Sequence, residues 1–195
     1  MSDASEERER GKWNRRYLEG THGTLQPDSL LIDAFDRYIE PLFPNAGRAL
    51  DIAGGTGRHA IFLAEKGWNV RLTDIAEAGI EAARKNAGRF STQIEFKVED
   101  LTQFHGGGES YDVITVFFFL RREIFSELVE ALTPGGLLLY KGYTRAQAAF
   151  GGGPTDPAYF FEENELLNSF RNLQVLHYAE LIRDCGMAEF VGRKI

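Results

Sequence analysis

The stretch ALDIAGGTGRHA, residues 49–60, constrains this chain more than any other. An apolar run ends in the acid Asp51, passes through Ala53, Gly54, Gly55 and Gly57, and opens into a helical pattern. Glycines are needed where a chain turns sharply out of a strand and lets a ligand lie close against its backbone. The helix that follows offers unpaired N–H groups and a partial positive charge at its first turn. A second apolar run ends in Asp74, within the interval of about 20 residues at which such folds place a ribose-binding carboxylate. Together these features predict a nucleoside-binding turn at the end of a parallel strand.

From Asn45 onward, strand and helix patterns alternate, as they do in a parallel sheet covered on both faces. The expected strands are 48–53, 69–74, 93–98, 111–118 and 137–143, with helices at 58–66, 76–87 and 122–132 between them. The last quarter reads as a helix over 162–170 and two strands, 173–182 and 188–193, joined by a turn at 184–186. That ending predicts an antiparallel hairpin on the sheet edge. Ahead of the sheet, a polar helix over 5–18 sets Trp13 and Tyr17 four apart on one face. A loop follows over 20–27. Asp28 then caps a helix through Leu31, Phe35 and Tyr38 towards Leu42, stopped by Pro44. The expected fold class is α/β: a three-layer, doubly wound Rossmann-like sheet of seven strands, mostly parallel. Residues 1–44 form an N-terminal helical cap on the core of 45–195, in one domain. The glycine runs at 106–108 and 151–153 read as loops.

A chain of 195 residues accommodates one domain with a real core and is too short for two comfortable ones. Its 43% hydrophobic and 26% charged content is that of a soluble globular protein. The net charge of -7 repels phosphate backbones, so a nucleic-acid partner would need a local basic patch. The single cysteine, Cys185, excludes an internal disulfide and a cysteine-based zinc site, and fits a reducing cytoplasm. No apolar run approaches the roughly 20 residues of a membrane span, and MSDASEERER is charged where a signal peptide would be apolar. The sequence 105–108, HGGG, is superficially like the oxyanion loop of esterases, but no G-x-S-x-G elbow accompanies it. There is no G-x-x-x-x-G-K-[ST] phosphate loop and no metal-ligand spacing.

Residues 55–60 also satisfy the dinucleotide pattern G-x-G-x-x-A. Three features argue against NAD. Asp51 at the strand tip suits an ammonium or sulfonium ligand better than a pyrophosphate. Two helices precede the motif, and nothing after the sheet is large enough for a substrate domain. With these residues the chain resembles the class I S-adenosylmethionine-dependent methyltransferases, from about Trp13 to its end. The resemblance implies S-adenosylmethionine as cofactor. It sets Asp51, Ala53, Gly54, Gly55 and Gly57 at the methionine end and Asp74, followed by Ile75, at the ribose. Asp100 would meet the adenine amino group, with Leu101 as backbone contact and apolar cover. Ala53 stands where the usual pattern has its first glycine. The segments WNRRY (13–17), FLRREIF (119–125) and GGGPTDPAYFFEENELL (151–167) resemble small bacterial tellurite-resistance-type methyltransferases. Relatives tend to carry an acid near the end of the fifth strand, where this chain has Lys141.

Methyl transfer needs an in-line arrangement and a dry pocket, and a base only when the acceptor arrives protonated. His22 and Tyr143 are the candidate catalytic residues on the acceptor side. Trp13, Arg16 and Tyr17 are expected to fold over the site as a lid, with Arg16 towards the cofactor and the two rings towards the acceptor. Of Phe117, Phe118 and Phe119, two are expected in the core and the tip residue at the methyl site. Phe117 is assigned to the cofactor and Phe118 to the acceptor. Arg121 and Arg122 begin a helix, a poor place for cations, so at least one should meet a carboxylate or an anion. Arg122 and Gln147 complete the acceptor side, while His59 and His177 read as structural. The expected acceptor is a small molecule, because no appended module exists to hold a macromolecule. No nucleic-acid or membrane partner is expected, and the chain would be a cytoplasmic monomer or homodimer. Rival readings are a protein or RNA methyltransferase using Arg121, Arg122, Lys141 and Arg145, an NAD-dependent oxidoreductase, and a non-catalytic S-adenosylmethionine-binding protein.

Overall fold

The computed structural model describes residues 3–20, 23–104, 108 and 110–195. Seven apolar runs become strands β1 (Arg48–Ile52), β2 (Asn69–Asp74), β3 (Ile94–Val98), β4 (Tyr111–Phe117), β5 (Leu132–Tyr143), β6 (Gln174–Leu181) and β7 (Met187–Arg193). Their order in one sheet is β3-β2-β1-β4-β5-β7-β6. Pairs β1–β2, β2–β3 and β4–β5 are parallel, and β7 runs antiparallel to both β5 and β6. The seven-stranded α/β sheet with its antiparallel hairpin is the one expected. The last strand lies inside the sheet, however, between β5 and β6, so β6 forms the edge. No described helix is long and apolar enough to cross a membrane.

The chain packs as two compact units, residues 1–105 and 106–195. In the first, helix α1 (Asp3–Leu18) precedes a helical run made of α2 (Ser29–Ala34), a π turn (Phe35–Ile39) and α3 (Glu40–Leu42). The Asp28 carboxylate caps α2 by accepting the Leu30 N–H at 3.0 Å. Pro41 explains the π turn. Proline has no N–H to donate and its ring crowds the carbonyl four residues back. The run widens there instead, and the Glu40 N–H donates to the Phe35 carbonyl. Helices α4 (Arg58–Glu65) and α5 (Glu77–Ala87) connect β1 to β2 and β2 to β3. Every β1 residue except Arg48 is buried, as a parallel strand covered on both faces must be.

In the second unit, the expected helix over 122–132 divides into a 3-10 turn (Arg122–Ile124) and α6 (Phe125–Glu130). β5 starts at Leu132 rather than 137. Gly135, at φ +85°, donates its N–H to the Lys194 carbonyl, and the Lys194 N–H returns to Gly136, so the PGG segment joins the sheet. The expected helix over 162–170 contracts to α7 (Glu165–Ser169), preceded by Asn164 in the left-handed region. The core here is aromatic: Tyr140, Phe161, Phe170 and Phe190 are fully buried, with ring centroids 5.4–5.9 Å apart. The Tyr140 hydroxyl donates to the Phe119 carbonyl at 2.8 Å, which satisfies its one polar group. Of the three consecutive phenylalanines only Phe117 is buried, not two. Phe118 and Phe119 lie beyond the last sheet residue and stay half-buried.

Candidate active site

Asp51 is 1% exposed, and its Oδ2 accepts the Ala60 N–H in the first turn of α4 at 3.2 Å. A carboxylate at a helix N-terminus is favourably placed. Gly54 is a glycine because of crowding, since a Cβ there would lie 2.5 Å from Asp51 Oδ2 and 2.9 Å from Leu72. Gly55 and Gly57 are glycines for conformation, at φ +56° and +88°. Ala53 shares that left-handed region at φ +53° without being a glycine. His59, expected to be structural, belongs to this cluster. Its Nε2 accepts the Asp28 N–H at 3.3 Å, so in the neutral ring the proton sits on Nδ1, 3.9 Å from Asp51 Oδ1. The sequence signal was present in GRHA, where the helix start carries His59 back towards the strand tip.

Asp74 ends β2 and is 4% exposed. Its Oδ1 accepts the Ala76 N–H at 2.9 Å. Its Oδ2 accepts the Gly55 N–H at 2.9 Å and the Tyr17 hydroxyl at 3.4 Å. Burial pushes the Asp74 carboxyl up from its ordinary value, against the pull of these donors. Burial, and then the neighbouring Asp74 charge, push the Tyr17 phenol up.

Helix α1 reaches this site through a residue that sequence reading missed. Ala76, the N-cap of α5, has no side chain to cap with. Asn14 does so from outside: its Oδ1 accepts the Ala78 N–H at 2.8 Å, and its Nδ2 donates to Glu77 Oε2 at 2.7 Å. That bond lowers the Glu77 carboxyl below its ordinary value. Trp13 stacks on Tyr17 with centroids 5.8 Å apart, and the Arg16 guanidinium lies 5.0 Å from the centre of the Trp13 ring. Beyond β3, Asp100 accepts the Thr102 N–H at 2.9 Å and caps the short turn that holds Leu101, which is buried. Ile75 follows Asp74 and is half-buried.

In the second unit, Tyr143 ends β5 and packs its ring 5.2 Å from that of Phe118, tilted by 48°. Phe118 holds φ +58°, and its N–H donates to the Lys141 carbonyl at 2.7 Å. A bulky residue in that region is strained. Lys141 is buried, with Nζ 2.8 Å from Glu189 Oε1. Glu189 Oε2 lies 3.5 Å from His177 Nε2. Gln147 is buried rather than solvated: its amide donates to the Gly151 carbonyl at 3.0 Å and accepts the Gly186 N–H at 2.8 Å. Arg122 meets a carboxylate, as one of the pair was expected to, through Nη2 to Glu165 Oε2 at 2.8 Å. It also donates to the Phe160 carbonyl at 3.1 Å. Arg145 is exposed and pairs with Glu162. His22 lies outside the described residues, as does most of the 106–108 loop.

Residues 49–136 match the family model described as a methyltransferase domain. That span holds Asp51, the glycine turn and Asp74. The chain is 25% identical to the Bacillus subtilis protein YqeM, which bears a provisional methyltransferase name, over 79% of this chain and 78% of that one. It spans only 46% and 49% of the next two curated relatives, both also named as methyltransferases. In fold it resembles TehB from Haemophilus influenzae, with a TM-score of 0.73 at 21% identity, covering 92% of this chain and 66% of TehB. It also resembles the magnesium protoporphyrin IX methyltransferase of Synechocystis solved with bound S-adenosylhomocysteine, with a TM-score of 0.71 at 17% identity, covering 97% and 99%.

The residues of this site fit S-adenosylmethionine. Three glycines open the backbone at the end of β1, and two buried carboxylates, Asp51 and Asp74, flank it. That donor and acceptor set suits an ammonium and a ribose, not a diphosphate.

Proposed function

We propose that the chain transfers the methyl group of S-adenosylmethionine to a small-molecule acceptor by in-line displacement. The observation that carries this reading is the Asp74 carboxylate bonded to the glycine turn through Gly55. The bound cofactor supplies an electrophilic methyl on a sulfonium leaving group. Asp51 holds the amino-acid ammonium, while Ala53, Gly54, Gly55 and Gly57 pass close beneath it. Asp74 accepts from the ribose hydroxyls with Ile75 beside it, and Asp100 and Leu101 hold the adenine. Arg16 and Phe117 complete the cofactor side.

On the acceptor side, Tyr143 and Phe118 form an aromatic wall at the carboxyl ends of their strands, where ligands of open α/β sheets bind. Tyr143 and His22 are the groups that would orient the acceptor or take its proton. Trp13 and Tyr17 lie on α1 beside the glycine turn of the first unit, with Tyr17 against Asp74. Arg122 and Gln147 act by holding the loops after β4 and β5, since both already have protein partners. A cytoplasmic monomer or homodimer agrees with the single cysteine and the acidic charge.

The test is transfer of labelled methyl from S-adenosylmethionine across a panel of thiols, phenols, selenite and tellurite, with S-adenosylhomocysteine as the common product. The expected result is turnover with one class, lost in Asp51→Asn. Cofactor binding without product on any panel member or cell extract would make the chain a sensor instead.

A further inference from the structure

The Tyr17 ring lies in a slot floored by two glycines. A Cβ on Gly55 would come within 2.6 Å of its hydroxyl oxygen and 3.2 Å of Cζ. A Cβ on Gly79, in the first turn of α5, would come within 2.8 Å of Cε2 and 2.9 Å of Cδ2. Three of these four approaches are under 3.0 Å, shorter than real Cβ contacts, so the ring fits as it does because neither residue has a side chain. Its hydroxyl ends on Asp74 Oδ2 at 3.4 Å. That oxygen also holds the Gly55 N–H, so both of its lone pairs are used.

A nucleoside held at this turn needs the same two things: open backbone over Gly55 and free acceptor capacity on Asp74. Tyr17 takes both. We infer that Tyr17 is a plug: its phenol occupies the ribose place, and the cofactor enters only after α1 swings the ring out. This rests on the reading of the glycine turn as the nucleoside site.

The contacts around the ring fit a removable plug. The Asp74 bond is long and therefore weak, so exchange for two ribose hydroxyls is favourable. The ring is carried by α1, which Asn14 latches to the start of α5 through two side-chain hydrogen bonds. Trp13 stacks on Tyr17 from the same helix, so a swing of α1 carries both rings. Opening therefore moves one helix and leaves the strand pairing of β1, β2 and β3 intact. Cofactor binding becomes a two-step event, opening and then capture, in which opening caps the rate of entry.

Rapid mixing with S-adenosylhomocysteine, followed by tryptophan fluorescence, tests the plug. In the wild-type protein the observed rate should level off as ligand rises, at the opening rate. Tyr17→Ala should give a rate that climbs linearly, with an initial slope at least tenfold higher. Gly79→Ala should act in the same direction. Its new methyl meets the Tyr17 ring, and alanine in a helix favours folding, so this variant decides the matter if Tyr17→Ala proves unstable. A linear wild-type rate, with slopes unchanged or lower in both variants, would overturn the plug while leaving the nucleoside site standing. Absence of S-adenosylhomocysteine binding to any of the three would remove the site reading and the plug with it.

Discussion

Asp74 accepts a hydrogen bond from the backbone N–H of Gly55, 19 residues earlier, at 2.9 Å. The end of the second strand and the glycine turn after the first are thereby one rigid piece. A ligand that meets one meets the other.

The cofactor reading gives that bond a pH signature. Ribose hydroxyls donate, so they need the ionised Asp74. Burial raises its pKa above the ordinary 3.8. Affinity is then complete above the raised pKa and falls as pH drops through it, earlier than an ordinary carboxylate would allow. For the ligand-free fold, the stability from the raised carboxyl is complete below its unfolded pKa and is lost as pH rises through the folded one. Calorimetric titration of S-adenosylhomocysteine at descending pH should show weakening before pH 3.8 is reached. Constant affinity down to that value would contradict it.

Ala53 sits at φ +53° in a place where glycine is free and alanine is not. The left-handed region costs an ordinary residue about 1–2 kcal/mol, and a glycine returns part of that gain through its freer unfolded chain. Ala53→Gly should therefore stabilise the fold by up to about 1 kcal/mol, a rise in Tm of roughly 2–4 °C for a chain of this size. A clear fall in Tm would show that the turn is not strained.

Much of this was legible in the sequence, and the places where it was not have physical causes. Asp28, Asp51 and Asp74 were readable because each ends or starts an apolar period beside a turn residue. Asn14 was not, because its partners are 63 and 64 residues away and nothing in WNRRY says which helix it caps. Pro41 widens the helix into a π turn instead of breaking it, which periodicity does not encode. The early start of β5 depends on pairing between Gly135, Gly136 and Lys194 at the far end of the chain. Gln147 is a polar residue in the short 3-10 turn after β5. It is buried because Gly186 leaves room for it: a Cβ there would lie 2.6 Å from Gln147 Cα.

Asn14 supplies the cap that Ala76 cannot. Asn14→Ala should cost about 1 kcal/mol, the usual worth of an N-cap, in urea unfolding. The same substitution should return the lowered Glu77 carboxyl towards its ordinary value, because the Asn14 bond is the largest cause of that shift. Unchanged stability with an unchanged Glu77 titration would mean that α1 is not latched to α5.

Lys141 and Glu189 form a buried pair across β5 and β7, with Nζ and Oε1 2.8 Å apart. Removing one partner strands a buried charge, so Lys141→Met should destabilise by roughly 3–5 kcal/mol. The double variant Lys141→Met with Glu189→Leu should recover most of that loss. Additive losses in the double variant would contradict the pairing.

The central claim is that the glycine turn with its two acids takes a cationic, sulfur-bearing nucleoside and not a dinucleotide. Isothermal calorimetry with S-adenosylmethionine and with NAD, on the wild-type protein and on Asp74→Ala, measures it directly. Binding of S-adenosylmethionine alone is expected, weakened about ten- to a hundredfold in Asp74→Ala by loss of hydrogen bonds to a charged acceptor. Tighter binding of NAD, or equal S-adenosylmethionine affinity in the two proteins, would contradict it.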